Sequence, residues 1–427
     1  MFYIIEKKEQ LAKLSKMGDC FVNFIPLNYN FHPNLSELSL IYIRPVGHKK
    51  GWMICLNHNE SFSLDKNEVF EHLLNNTSRL FVPQKKETLY HFPYPDKLYD
   101  INFIENVNLN NNVVSNKCID YYYKHQFNNP TINTLIPISK HYEEQETIYN
   151  IVLPIIHKYD ANNAIYQFNN ELSSVVFHRI EKNGIALNKR CFVSQYQETL
   201  KHPEFSIFEG KIYTQYNLHT TTSRPSNRFN GINFAALNKT DNERTCYEPI
   251  NDMFMEMDFS GYHPRLIGEL VNFPLTSTNI YESLNVGKEE MFQNLYGGIR
   301  KEYKDKPFFK EVAKYTNNLW ELLKENGKIY SENKVFNLEE IDTPNPTKIF
   351  NYIIQSYETS TNVRIIMKIL DYLQDKQTKL VLYTYDALLF DFSTSDGLNI
   401  LNELVTIMKY PIKIKQGLNY KEMENYE

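Results

Sequence analysis

Two aspartates stand at the ends of apolar runs. Asp258 follows Met253, Phe254, Met255 and Met257 in MFMEMDF, and Asp386 follows Val381, Leu382, Tyr383 and Tyr385 in KLVLYTYDALLFDF. A carboxylate at the rim of apolar β structure is costly to desolvate unless it meets a cation, hydrogen-bond donors or an exposed turn. Two such groups brought together repel unless a divalent ion lies between them. Mg²⁺ suits the position, because it binds through one or two carboxylates plus substrate phosphates and keeps much of its own water. Paired ions about 3.5–4 Å apart stabilise both the attacking and the leaving oxygens of a phosphoryl displacement. Either aspartate alone serves equally well as the cap of a turn.

A second pattern lies between them. In GKEEMFQNLYGG, Lys288, Phe292 and Tyr296 recur every fourth residue, and Gly297-Gly298 ends the run. On a helix they form one stripe about 12 Å long at 1.5 Å per residue. A cation followed by two rings fits a triphosphate, a sugar and a base in turn, and Gly297 admits a base to the backbone. Spacing alone fits an ordinary amphipathic helix with a snorkelling lysine just as well.

The elements that must hold these residues can be read from period and punctuation. EKKEQLAKLSKM predicts a helix, and CFVNFI, LSLIYIRPV and GWMICL predict strands. The Asn-rich stretch Glu105 to Asn116 predicts a solvated loop. HYEEQETIYNIVLPIIHKY and ELSSVVFHRIEK have helical period, the second ending at Asn183-Gly184. MFMEMDF is a strand leading into the helix HPRLIGELVNF, which has Pro264 in its first turn. Three further helices are expected around Lys288 to Tyr296, Lys310 to Lys324 and Lys348 to Gln374. TKLVLYTYDALLFDF reads as two short strands meeting at Asp386, and KYPIKIKQGLNY as a closing strand pair.

The chain has 427 residues, 42% hydrophobic and 23% charged, with a net charge of -5. That size gives a globular protein of two or three domains. The charge excludes a uniformly basic nucleic-acid coat while permitting a local basic cleft. Five scattered cysteines without a C-x-x-C pair predict reduced thiols in a cytoplasmic setting, with neither zinc ribbon nor disulfide framework. The N-terminus MFYIIEKKEQLAKL is not a signal peptide, and no apolar run spans a bilayer, so no membrane partner is expected.

Together these motifs resemble the DNA polymerase I family (family A DNA polymerases). In DFSGYHPRL, Asp258 matches the metal-binding aspartate of the first palm motif, and Arg265 matches its arginine. Lys288, Phe292, Tyr296 and Gly297 reproduce the fingers pattern K-x-x-x-F-x-x-x-Y-G, and TYDALLFD resembles the third motif with Asp386 as its aspartate. TTTSRPSNRFNGINFAAL is similar to the segment that contacts primer and template, which puts Arg224, Asn230 and Asn233 there. NYIIQS keeps N-x-x-x-Q, giving Asn351 and Gln355 as further DNA contacts. ELSSVVFHRIEKNGIALN and YPIKIKQGLNYKEM resemble the start and end of the polymerase domain.

The resemblance implies an α+β fold with an antiparallel palm, helical fingers and a reduced thumb over residues 161–427. An RNase H-like α/β domain, a degenerate 3'-5' exonuclease, occupies residues 1–160. It implies a bacteriophage-like enzyme adding dNTPs to primer-template DNA with two Mg²⁺ ions on Asp258, Asp386 and the Phe259 carbonyl. His263, Arg265, Lys288, Phe292, Tyr296 and Gly297 would line the nucleotide.

The departures carry expectations of their own. Tyr385-Asp386-Ala387 replaces the family's His-Asp-Glu, Leu284 replaces an arginine, and His263 replaces the glutamate that crowds the ribose 2' position. Only Lys189 to Thr220 is available for a thumb, which implies a processivity or replisome protein as partner. The strand CFVNFIPLN lacks the acids of an exonuclease, leaving Tyr142 and Glu146 in HYEEQE without metal-binding companions. A single-subunit RNA polymerase and an inactive DNA-binding module are the competing expectations.

Overall fold

The computed structural model describes every residue except 1–2, 30, 109–131, 197–206, 228–231, 241, 398 and 427. The chain forms two compact units, Met1–Lys182 with His202–Phe208, and Asn183–Lys201 with Glu209–Glu427.

In the first unit, β1 (Tyr3–Ile5), β2 (Gly18–Pro26), β3 (Leu38–Pro45), β4 (Trp52–Cys55), β5 (Thr77–Val82) and β6 (Leu98–Asp100) form one sheet in the order β1-β4-β3-β2-β5-β6. β2, β3 and β4 are an antiparallel meander, while β5 and β6 continue parallel to β2. This is the mixed α/β arrangement expected of an RNase H-like unit. Every residue of β3 is buried, as is β2 from Cys20 onward. Covering on both faces explains why these strands read as unbroken apolar runs. α1 (Lys66–Asn76) starts at Asp65, whose carboxylate accepts from the Asn67 and Glu68 N–H groups, and buries Val69, Phe70 and Leu73. α2 (Ile138–Ile156) is the long helix that the sequence predicts. The helix expected from EKKEQLAKLSKM is instead a 3-10 turn, Lys8–Leu14, whose buried residues Leu11 and Leu14 sit one tight turn apart.

The units divide at Lys182/Asn183, beyond the boundary expected at 160/161. The reason lies in α3 (Ser174–Asn183). Its fully buried Glu181 accepts from Lys86 Nζ at 2.6 and 2.8 Å and from the Tyr90 hydroxyl at 2.8 Å, so the helix belongs with residues some ninety positions earlier.

In the second unit, α4 (Lys189–Tyr196) is the described helix of the span from Lys189 to Thr220, whose described remainder holds short strands. β7 (Met253–Phe259) leads through Gly261 into α5 (Tyr262–Leu270). Gly261 has φ 60°, and a Cβ there would lie 2.5 Å from Ile280 Cδ1, so the turn requires glycine. α6 (Lys288–Gly297), α7 (Pro307–Asn326) and α8 (Pro346–Tyr372) follow. α8 begins at Asn345, whose side chain accepts from the Lys348 N–H, with Pro346 in the first turn. β8 (Lys379–Tyr383) and β9 (Ala387–Phe392) form a hairpin, and α9 (Asn399–Met408), β10 (Ile412–Gly417) and β11 (Glu424–Asn425) close the chain.

The five strands make an antiparallel sheet in the order β8-β9-β7-β10-β11. One core joins Ile267 of α5, Met291 and Leu295 of α6, Phe309 and Val312 of α7, and Ile354 of α8. This fixes the helical elements against one another by apolar burial.

One cysteine expectation is corrected. Cys191 in α4 and Cys246 form a disulfide, with Cα atoms 5.2 Å apart. Cys20 and Cys55 are buried free thiols. Among the described residues no helix is long and apolar enough to cross a membrane.

Candidate active site

Asp258 and Asp386 meet because β7 is the central strand and β9 its direct neighbour. Asp258 pairs with Ala387, and the Phe259 N–H donates to the Asp386 carbonyl at 2.8 Å. Thr384 N–H donates to the Ala387 carbonyl to close the hairpin, and Tyr385 turns it with φ 67°. Asp258 is half-buried while Asp386 is exposed. Burial first, and then the Asp386 charge, pushes the Asp258 carboxyl up to about 6. The Asp386 charge thus disfavours ionisation of Asp258, and a divalent cation between the two would relieve that repulsion.

Their side chains are hard oxygen donors and Phe259 follows Asp258 in the chain with a backbone carbonyl to add, a donor chemistry that fits Mg²⁺ completed by water and phosphate. Among the described residues no group of three or more His, Cys, Asp or Glu side chains gathers as a metal centre. The site therefore offers a two-carboxylate clamp and no closed metal cage.

The residue five places after Asp258 is central to the site. His263 Nε2 lies 3.0 Å from Glu358 Oε1, and His263 Nδ1 is hydrogen-bonded to the Tyr296 hydroxyl. Tyr296 stacks on Phe292 with ring planes 8° apart, so the two aromatic residues of the α6 stripe lie together beside α5. Met291, Asn294 and Leu295 form the buried face of α6, leaving Phe292 and Tyr296 partly exposed and Lys288 and Gly297 exposed. No atom lies within 4 Å of a Cβ built on Gly297. Lys288 and Gly297 thus lie off the core face, while Tyr296 still packs against the core.

Glu358 also pairs with Arg224, Nε to Oε2 at 2.9 Å, and the Arg224 guanidinium lies 3.8 Å above the Tyr385 ring. Burial opposes ionisation of Glu358, but His263 and Arg224 together hold its carboxyl below the usual glutamate range.

The sequence reading missed Glu358 and Asn362, yet a signal for both is present. Asn351, Gln355, Glu358 and Asn362 follow at intervals of four, three and four, one polar stripe along α8. Gln355 accepts from the Thr222 hydroxyl at 2.9 Å, which docks the segment carrying Arg224 on the helix. Asn362 accepts from the Tyr262 hydroxyl at 2.6 Å and donates to the Tyr383 hydroxyl and the Tyr385 carbonyl, each at 2.9 Å. Asn351 Oδ1 is buried with no hydrogen-bond partner among the described residues, an acceptor left over at the end of the stripe.

Arg265 is placed differently from expectation. Its Nε donates to the Ser260 carbonyl, Nη1 to Leu275, and Nη2 to Ser277 and Thr278, at 2.7 to 3.1 Å. The guanidinium is hydrogen-bonded to backbone carbonyls, so Arg265 latches the turn after β7. Asn233 is exposed, and Asn230 lies outside the described residues.

The corresponding region of the first unit is neutralised by its own contacts. Asn23 of β2 donates to Gln145 of α2 at 2.9 Å. The Glu146 carboxylate takes Arg44, the Tyr42 hydroxyl at 2.7 Å and the Gly51 N–H at 3.2 Å. Tyr142 packs edge-on against Tyr42.

No protein-family model matches the sequence, and no curated protein matches it. Among solved structures, the fold is similar to the polymerase domain of Pol1 from M. smegmatis in complex with DNA primer-template and dNTP. The two share 12% sequence identity with a TM-score of 0.69, over 99% of this chain and 99% of that one. At that identity the likeness is one of fold.

Proposed function

We propose that this chain is a template-directed DNA polymerase of the DNA polymerase I family, adding dNTPs to the 3' end of a primer on template DNA. The observation that carries the reading is the convergence of Asp258 and Asp386 on paired strands with the α6 stripe, joined through the Tyr296–His263 bond. The fold shared with a polymerase domain solved with primer-template and dNTP supports it.

In this reading the Lys288 ammonium faces the triphosphate, Phe292 and Tyr296 contact sugar and base, and the open space at Gly297 admits the base pair. Arg224, Asn233, Gln355 and the unpaired Asn351 carbonyl face the DNA. Held by Asp258, Asp386 and the Phe259 carbonyl, two Mg²⁺ ions would neutralise phosphate charge and favour the deprotonated hydroxyl. The primer 3'-hydroxyl forms the new P–O bond at the α-phosphate and pyrophosphate leaves. The chain's own contribution is positioning and electrostatics, as is usual for such a displacement. We assign the first unit no exonuclease chemistry, because Asn23 and Glu146 are committed to neighbours in place of metal. The short span available for a thumb makes a separate processivity protein part of the proposal.

The test is primer extension with Mg²⁺, wild type beside Asp386→Asn. The variant should lose about 10³-fold or more in rate, beyond the loss of a single hydrogen-bond donor at a charged transition state. Equal rates from the two proteins would refute the metal-ligand assignment. Running NTPs in parallel separates this reading from an RNA polymerase, for which NTPs would be the better substrates.

A further inference from the structure

Glu358 is fully buried on α8, a place a carboxylate holds only when paired and hydrogen-bonded. Its partners come from separate stretches of chain, Arg224 from the segment before β7 and His263 from α5. Each partner makes a second contact on the side away from Glu358. His263 Nδ1 is bonded to the Tyr296 hydroxyl on α6, and the Arg224 guanidinium covers Tyr385, the residue before Asp386. One carboxylate thus ties His263 of α5, the aromatic stripe and the turn bearing the second aspartate. Folding alone does not call for this arrangement, since buried ion pairs are readily replaced by apolar residues of similar volume.

We propose that Glu358 is a positioning residue for nucleotide selection, fixing the His263 imidazole at the sugar edge of the incoming nucleotide and, through Arg224, the Tyr385–Asp386 turn. The proposal rests on the polymerase reading and deepens it. His263 stands where the resembled family has a glutamate by the 2' position, and a planar ring there excludes a hydroxyl only when it cannot swing away. Nε2 held from behind by Glu358 and Nδ1 held in front by Tyr296 leave it no free rotation. The prediction is that sugar preference depends on a residue that touches neither nucleotide nor metal.

The experiment measures kcat and KM for a dNTP and the matching NTP on one primer-template, for wild type, Glu358→Gln, His263→Ala and the double variant. Glu358→Gln keeps size and one acceptor but loses the charge that pairs with Arg224 and weakens the bond to the His263 imidazole. Its dNTP-over-NTP preference in kcat/KM should fall about tenfold, the worth of one hydrogen bond to a charged group. The double variant should show the same preference as His263→Ala, because the effect runs through the imidazole. A merely structural role would lower both substrates alike, so an unchanged preference in Glu358→Gln overturns the proposal. So does a wild type that uses the two sugars equally.

Thermal melting accompanies each variant. Should Glu358→Gln fail to melt cooperatively, Arg224→Met/Glu358→Met removes the ion pair as a pair and takes its place, compared with Arg224→Met alone, with the same expected loss and the same overturning result. A wild type that incorporates neither substrate overturns the polymerase function and this proposal with it. An active wild type with an unaltered preference in the variants overturns this proposal only.

Discussion

Asp258 and Asp386 could be picked out from sequence because a carboxylate at the end of an apolar strand needs an explanation that few structures supply. The strand pairing that brings them together joins distant stretches of the chain, and the runs themselves do not announce it. Arg265 shows the opposite case. Its place in DFSGYHPRL invites a phosphate contact, but four backbone carbonyls from Ser260, Leu275, Ser277 and Thr278 claim the guanidinium. Those acceptors lie up to thirteen residues away in a loop with no regular period, so no local pattern announces them. Replacing Arg265 with Met should therefore cost about 1 to 2 kcal/mol, since the hydrogen bonds to four carbonyls of exposed or half-buried residues are lost and water replaces only some of them. Urea denaturation should show the lowered midpoint, while KM for the dNTP stays within about twofold of wild type. A raised KM with unchanged stability would return Arg265 to the nucleotide.

At the scale of elements, β7 to β9 and α5 to α8 follow their sequence periods, because apolar spacing and caps such as Asn345-Pro346 act locally. KYPIKIKQGLNY, expected as a strand pair, holds only β10, and its partner β11 lies beyond it. The 27-residue helix α8 is less transparent. It is buried on several sides, so its apolar residues show little periodicity, and the informative pattern is the polar one. Asn351 and Gln355 can be assigned as a pair, but the stripe continues to Glu358 and Asn362 and anchors the hairpin turn. Asn362 is the firmest link, with one bond to Tyr262 of α5, one to Tyr383 and one to the Tyr385 carbonyl beside Asp386. Asn362→Leu keeps the number and branching of side-chain heavy atoms and removes all three. It should destabilise the protein by about 3 kcal/mol and, by loosening the turn, lower kcat for primer extension more than it raises KM. Loss of stability with full kcat would show that the helix supports the sheet without setting the position of Asp386.

Across the whole molecule, what the sequence concealed are contacts between residues far apart in the chain. Glu181 reaches back to Lys86 and so carries α3 into the first unit, which moves the boundary from 160/161 to 182/183. The cysteines mislead in the same way. Without a local pair they read as reduced thiols, yet Cys191 and Cys246, 55 positions apart, meet where α4 lies against the turn before β7. The loop they close carries Arg224 and Asn233, residues assigned here to DNA. Closing a loop of that length restricts the unfolded chain by about 4 kcal/mol in the chain-entropy view. Reduction with dithiothreitol should lower the urea midpoint correspondingly, and Cys191→Ser should start from the lower midpoint and ignore the reductant. Non-reducing peptide mapping should recover the two cysteines in one linked fragment. A wild type whose stability does not respond to reductant, with both cysteines open to alkylation, would mean that the loop is held by packing alone and that the thiol reading of the sequence was right.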